Sequence, residues 1–137
     1  MFNLIPEGQL SLFLIRAFVL LFLGILFSQS GFDKTLNWKS NLEWLTQHFS
    51  KSVFKNNVPF LLFTITVLEI FAGLGSFAAI ISLLFFQSLL LAKLAIAIST
   101  LSLLCLFAGQ RIAKDYAGAA GLVNYFIVCI IGYYLLL

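Results

Sequence analysis

One ionisable side chain in this sequence stands where apolar surroundings would make it costly. Residues 58–85 read VPFLLFTITVLEIFAGLGSFAAIISLLF, and the one charge among them is Glu69. At 1.5 Å per residue such a run can cross a hydrocarbon layer of about 30 Å. A carboxylate at that depth costs on the order of a few kcal/mol unless it is paired, protonated or reached by water. The chemistry open to it is therefore ion pairing, proton carriage or hydrogen bonding to a ligand headgroup. Ala72 and Gly73, one turn on, and Ser76 beyond them share its helical face. Small residues let a neighbouring backbone come close, so Glu69 is expected to point into a helix bundle.

Two basic residues lie inside other apolar runs, Arg16 in the first and Lys93 near the start of the third. Depth selects between them. With spans starting near residues 10 and 58, Arg16 lies roughly 9 Å, and Glu69 roughly 13 Å, from the same membrane face. A guanidinium can present a two-pronged donor to a carboxylate, so Arg16 is the expected partner, with Lys93 as a third member. This cluster either fixes helix register or forms a small polar cavity for a headgroup or a proton. A second polar set, Gln29, Asp33 and Lys34 with Gln110, Arg111 and Asp115, collects at the opposite face and is expected to anchor loops.

Other chemistry finds little support. The two cysteines, Cys105 and Cys129, form no CxxC and read as small buried hydrophobes. His48 has no second histidine and no nearby cysteine, so it reads as a hydrogen-bonded or solvated side chain and no metal site is expected. Haem, iron–sulfur and dinucleotide motifs are missing, and no residue is assigned a catalytic role.

The elements that must position these groups are membrane-spanning. The chain has 137 residues, of which 62% are hydrophobic and 9% charged, with a mean hydropathy of +1.09. These values lie far from soluble globular composition. A single all-α domain is expected: an integral membrane four-helix bundle with spans at about 10–30, 58–85, 89–110 and 116–137. Ser28-Gln29-Ser30 loosely resembles a signal-peptidase site, but Arg16 inside the run and the lack of Lys or Arg before it favour a retained span. Gly31 is expected to end that span. Residues 36–54 place Trp38, Leu42, Leu45, Phe49 and Val53 on one face, Lys39, Glu43, Gln47, Ser50 and Lys51 on the other. That pattern predicts an amphipathic helix in the membrane interface, begun by a Ser40-x-x-Glu43 capping box. Pro59 suits the first turn of the second span, and Phe86-Gln87-Ser88 the turn after it.

The net charge of +3 is concentrated between apolar blocks, which argues for an orientation signal and against nucleic acid. Lys34, Lys39, Lys51, Lys55, Arg111 and Lys114 fall in the first and third loops. The positive-inside rule then puts both loops in the cytoplasm and both termini outside.

Several of these features coincide with a known pattern. Arg16 in the first span, Gly31-x-x-Lys34 closing it, Leu68-Glu69 followed by Ala72-Gly73-Leu74, and the stretch Gly109-Gln110-Arg111-Ile112-Ala113-Lys114-Asp115-Tyr116-Ala117-Gly118 together resemble the DoxX/DoxD-like family of small bacterial membrane proteins. The last stretch is similar to its short Bacteroidetes-type members. The resemblance implies a four-helix bundle in the bacterial inner membrane. It also implies association with redox partners, one relative being a subunit of a thiosulfate:quinone oxidoreductase. Two functions follow as expectations. One is an accessory or structural subunit, without catalysis of its own, whose partners are the lipid bilayer and other membrane subunits. The other is a quinone-linked redox component whose partner carries the cofactor, with quinone or lipid as the possible bound molecule. A transporter or proton path is weaker, since no inverted repeat and no broken helix beyond Gly73-Leu74-Gly75 is visible.

Overall fold

Many large apolar side chains face outward in this protein, and small ones fill much of its interior. Phe18, Phe63 and Phe71 are each about 60% exposed, whereas Ala72, Ala79 and Ala92 are fully buried. In water such an exterior would be an aggregation surface; against lipid it costs nothing, and a small-residue interior lets helices pack closely. The computed structural model describes residues 7–137, so the short polar start expected before the first span falls largely outside it.

Six helices follow a 3-10 turn at Glu7–Gln9: α1 (Leu10–Leu36), α2 (Trp38–His48), α3 (Val58–Phe86), α4 (Leu90–Ile112), α5 (Tyr116–Gly121) and α6 (Val123–Tyr134). No strand occurs among the described residues. Counting α5 and α6 as one run, four helices are long and apolar enough to cross a membrane. Pro59 sits in the first turn of α3, as its missing N–H suggests. The α3–α4 turn falls at the expected place, with Gln87 in the left-handed region at φ 50°.

Three close approaches set the register of α1 against α3. A Cβ on Gly24 would lie 2.9 Å from the Phe77 ring, one on Gly31 would lie 2.8 Å from Ile70 Cγ1, and one on Gly73 would lie 2.8 Å from Ser28 Cα. The pairs 24/77, 28/73 and 31/70 run in opposite directions, so position i of α1 faces roughly position 101 − i of α3. Helix α3 also packs on α4, where Gly75 faces Ala95, and Ala72, Ser76 and Ala79 on α3 and Ala92, Ala95, Ser99 and Ser102 on α4 are all buried. The hydroxyls there are satisfied locally: Ser76 donates to Ala72 O at 2.6 Å, Ser99 to Ala95 O at 2.8 Å and Ser102 to Ile98 O at 2.9 Å. Around them Leu20, Leu23, Phe27, Ile96, Leu103, Cys129 and Leu136 complete the core.

Four sequence expectations about elements need correction. Gly31 does not end the first helix; α1 continues to Leu36 because the missing Cβ is taken up by close contact with α3. Ser40 is not a cap: only Asn37 separates α1 from α2, so Ser40 already lies in the first turn of α2. The amphipathic stretch is helical only to His48. Its apolar face does meet the bundle through Trp38, Leu42, Leu45 and the buried Phe49, while Val53 is 81% exposed. Finally, Gly73-Leu74-Gly75 is unbroken helix, and the interruption falls instead at Leu122, between α5 and α6.

Candidate functional site: a buried ion pair beside an apolar cavity

Glu69 is 1% exposed and its partner is Lys34, not Arg16. Lys34 Nζ lies 2.9 Å from Glu69 Oε2. Ser30 donates its hydroxyl to the same oxygen at 3.0 Å and accepts from Lys34 Nζ at 2.8 Å. Ser30 and Lys34, four apart on α1, thus close a three-membered polar unit against α3.

Register and side-chain direction explain the pairing. Glu69 faces about position 32 of α1, whereas Arg16 lies 16 residues further along, or about 24 Å. Helical side chains lean toward the N-terminus of their own helix. Because α1 and α3 are antiparallel, Lys34 leans inward along α1 and Glu69 leans outward along α3, so the two converge. Arg16 leans away from both. Its Nε donates to Leu135 O at 2.8 Å, a cation on the carbonyl end of α6. Lys93, half-buried near the start of α4, forms no ion pair among the described residues. The expected cluster of Arg16, Glu69 and Lys93 is therefore not assembled.

The second expected set divides in four. Lys34 goes to Glu69. Gln110 and Asp115 go to His48: its Nε2 lies 2.7 Å from Gln110 Oε1 and 3.8 Å from Asp115 Oδ2. With a carbonyl oxygen facing it, Nε2 is the donor. Asp115 also accepts from Gly118 N at 2.9 Å, capping α5. A Cβ on Gly118 would fall 2.6 Å from Asp115 Oδ2 and 3.0 Å from Gln110 Nε2, so this network requires glycine there. Arg111 stacks 4.4 Å over the Tyr116 ring. Gln29 and Asp33 remain exposed. Gln110 and Asp115 thus connect α2 to the end of α4 and the start of α5 through His48, itself stacked on Trp44 at 4.5 Å.

Between α2, the start of α3 and the end of α4 lies a cavity of about 310 Å³. Leu45 and Phe49 roof it, Leu62 and Ile65 wall one side, and Leu106 and Gly109 the other. Its lining is mainly apolar, and Lys34, His48, Thr64, Cys105 and Gln110 are among the residues that border it. A space of this size is at the lower end of small-molecule sites, which run from roughly 300 to 1,000 Å³ and combine apolar walls with a few placed polar groups. Such an arrangement can hold an apolar molecule by its body and a polar head by hydrogen bonds.

Sequence reasoning did not connect Ser30 with Glu69, and it read His48 as a hydrogen-bonded or solvated side chain without finding its partner. Spacing held a signal for the first: Gly24, Ser28 and Gly31 form the close-packing strip of α1, and Ser30 and Lys34 lie beside it. His48 is 62 residues from Gln110 and only the fold joins them. No family model, curated protein or solved structure matches this chain.

Proposed function

We propose that this small multi-pass membrane protein binds a membrane-soluble amphiphile, with an apolar body and a hydrogen-bonding head, in the cavity beneath α2. The cavity carries the reading: its apolar walls are bordered by Lys34, His48 and Gln110. Quinone and lipid share this chemistry. With a quinone, the protein is a binding component for a partner that supplies the redox cofactor, in keeping with the resemblance to DoxX/DoxD-like proteins of the bacterial inner membrane. The chain's own residues hold and orient the head.

A second reading, an accessory subunit of a membrane complex, is favoured by the fourth crossing, of which 17% is buried against 39% for α3. Such a surface suits packing against another membrane protein. In both readings α2 lies in the membrane interface with Trp44 and Lys39 toward headgroups.

Native mass spectrometry of protein extracted in mild detergent tests the first reading. A small molecule bound to the wild-type chain and lost from Ala108→Trp, which fills the cavity, is the expected result. A wild-type protein that retains nothing, or an Ala108→Trp variant that retains the same molecule, would overturn it. Extraction of organic material then separates quinone from lipid.

A further inference from the structure

The fourth crossing carries a polar side chain that this chain leaves unsatisfied. Asn124 is exposed, and its carboxamide has no hydrogen-bond partner among the described residues. Its level follows from α1. Arg16 meets Leu135 and Gly132 meets Val19, which puts Asn124 roughly level with Phe27 and, across α1, with position 74 of α3. That is near the middle of α3, where lipid offers the amide neither donor nor acceptor.

A second observation points the same way. Gly121, one turn before Asn124, is helical without a positive φ, and a Cβ there would meet nothing within 4 Å. Neither backbone conformation nor internal packing accounts for glycine at this position, so its small size serves a surface outside the chain. Ala117 and Ala120, seven and four residues before Asn124, are exposed on the same face, as is Ile127 beyond it. Backbones can therefore approach closely along this strip.

We infer that a second copy of this chain packs on the face of α5 and α6 centred on Asn124, in a two-fold symmetric dimer. A carboxamide both donates and accepts, so two copies of Asn124 related by a two-fold axis satisfy each other. The strip of small residues is likewise its own complement. No charged residue occurs from Tyr116 to Leu137, so like-charge repulsion does not oppose self-association. Tyr125, about 100° round the helix from Asn124, turns inward to meet Phe22 at 6.1 Å, while Asn124 stays exposed. The inference is independent of any ligand in the cavity.

Cross-linking of the full chain in lipid nanodiscs and vesicles tests it. In a Cys105→Ala background, Gly121→Cys should form a disulfide-linked dimer on mild oxidation, while Leu94→Cys on the outward face of α4 should not. Adding Asn124→Leu should raise the dissociation constant on the order of tenfold, the effect of losing an interhelical hydrogen bond. Because Asn124 is exposed, that variant should fold, and Ala120→Leu, which blocks close approach without touching the amide, should give the same loss. A chain monomeric at every lipid dilution would overturn the inference, as would cross-linking unchanged by both Asn124→Leu and Ala120→Leu. So would a different protein captured at position 121 in place of a second copy.

Discussion

At Glu69 the stability of the bundle depends on one carboxylate and one ammonium removed from water together. The Lys34 side chain is 16% exposed and the Glu69 side chain 2%, so taking away either partner leaves a charge with little solvent to replace it. Glu69→Ala is expected to destabilise the protein by about 3–5 kcal/mol, while Glu69→Leu combined with Lys34→Met recovers most of that loss. Ser30→Ala, which removes one neutral donor, should cost about 1–2 kcal/mol. Reversible unfolding in mixed detergent micelles measures all three. The same assay separates the two candidate partners: Glu69 and Lys34 should couple strongly in a double-mutant cycle, whereas Glu69 and Arg16 should be additive within about 0.5 kcal/mol. The sequence made Glu69 legible because a lone charge in an apolar run has few explanations. Its partner was not legible, because counting depth from assumed helix ends ignored both the true register and the direction in which each side chain leans. Depth counting put Arg16 and Glu69 about 4 Å apart in level where the register separates them by about 24 Å, which was enough to prefer the wrong cation.

Among the elements, register is held by glycines that have no room for a side chain, and this gives a ranking. Gly73 lies over the Ser28 backbone, which cannot move aside without separating α1 from α3. Gly75 faces Ala95 Cβ at 3.8 Å, an ordinary contact. Gly73→Ala should therefore cost several times more than Gly75→Ala, on the order of 2–4 kcal/mol against less than about 1. The same unfolding titration reads the difference. If the two cost the same, close approach at Ser28 does not set the register, and the account of why Lys34 meets Glu69 fails with it. Helix existence was legible here from apolar length, and the α3–α4 turn from its one polar interruption. Helix ends were not: Gly31 and the Ser40 box look like a stop and a start, yet tertiary contact at Gly31 carries α1 onward and shifts the beginning of α2 to Trp38. The cavity lay beyond reach altogether, since its roof and walls come from segments that only the fold brings together.

For the whole molecule, orientation turns on which cations are free to be counted. Lys34 is neutralised by Glu69, so the loop end keeps Lys39, Lys51, Lys55, Arg111 and Lys114, all exposed. At the opposite end Arg16 is held against Leu135 O and lies inside α1, which leaves Lys93 as the cation nearest the α3–α4 turn. The asymmetry survives the loss of Lys34, and the loop end is expected in the cytoplasm with the C-terminus outside. Val53 and Leu137, each 81% exposed, are suited to report it. In a background with Cys105 replaced by alanine, an impermeant thiol reagent added to intact cells should label Leu137→Cys and spare Val53→Cys until the membrane is opened. The opposite pattern would place five exposed cations on the translocated side. Orientation would then have to be set by something other than loop charge, and a partner engaging the fourth crossing during insertion would become the leading explanation.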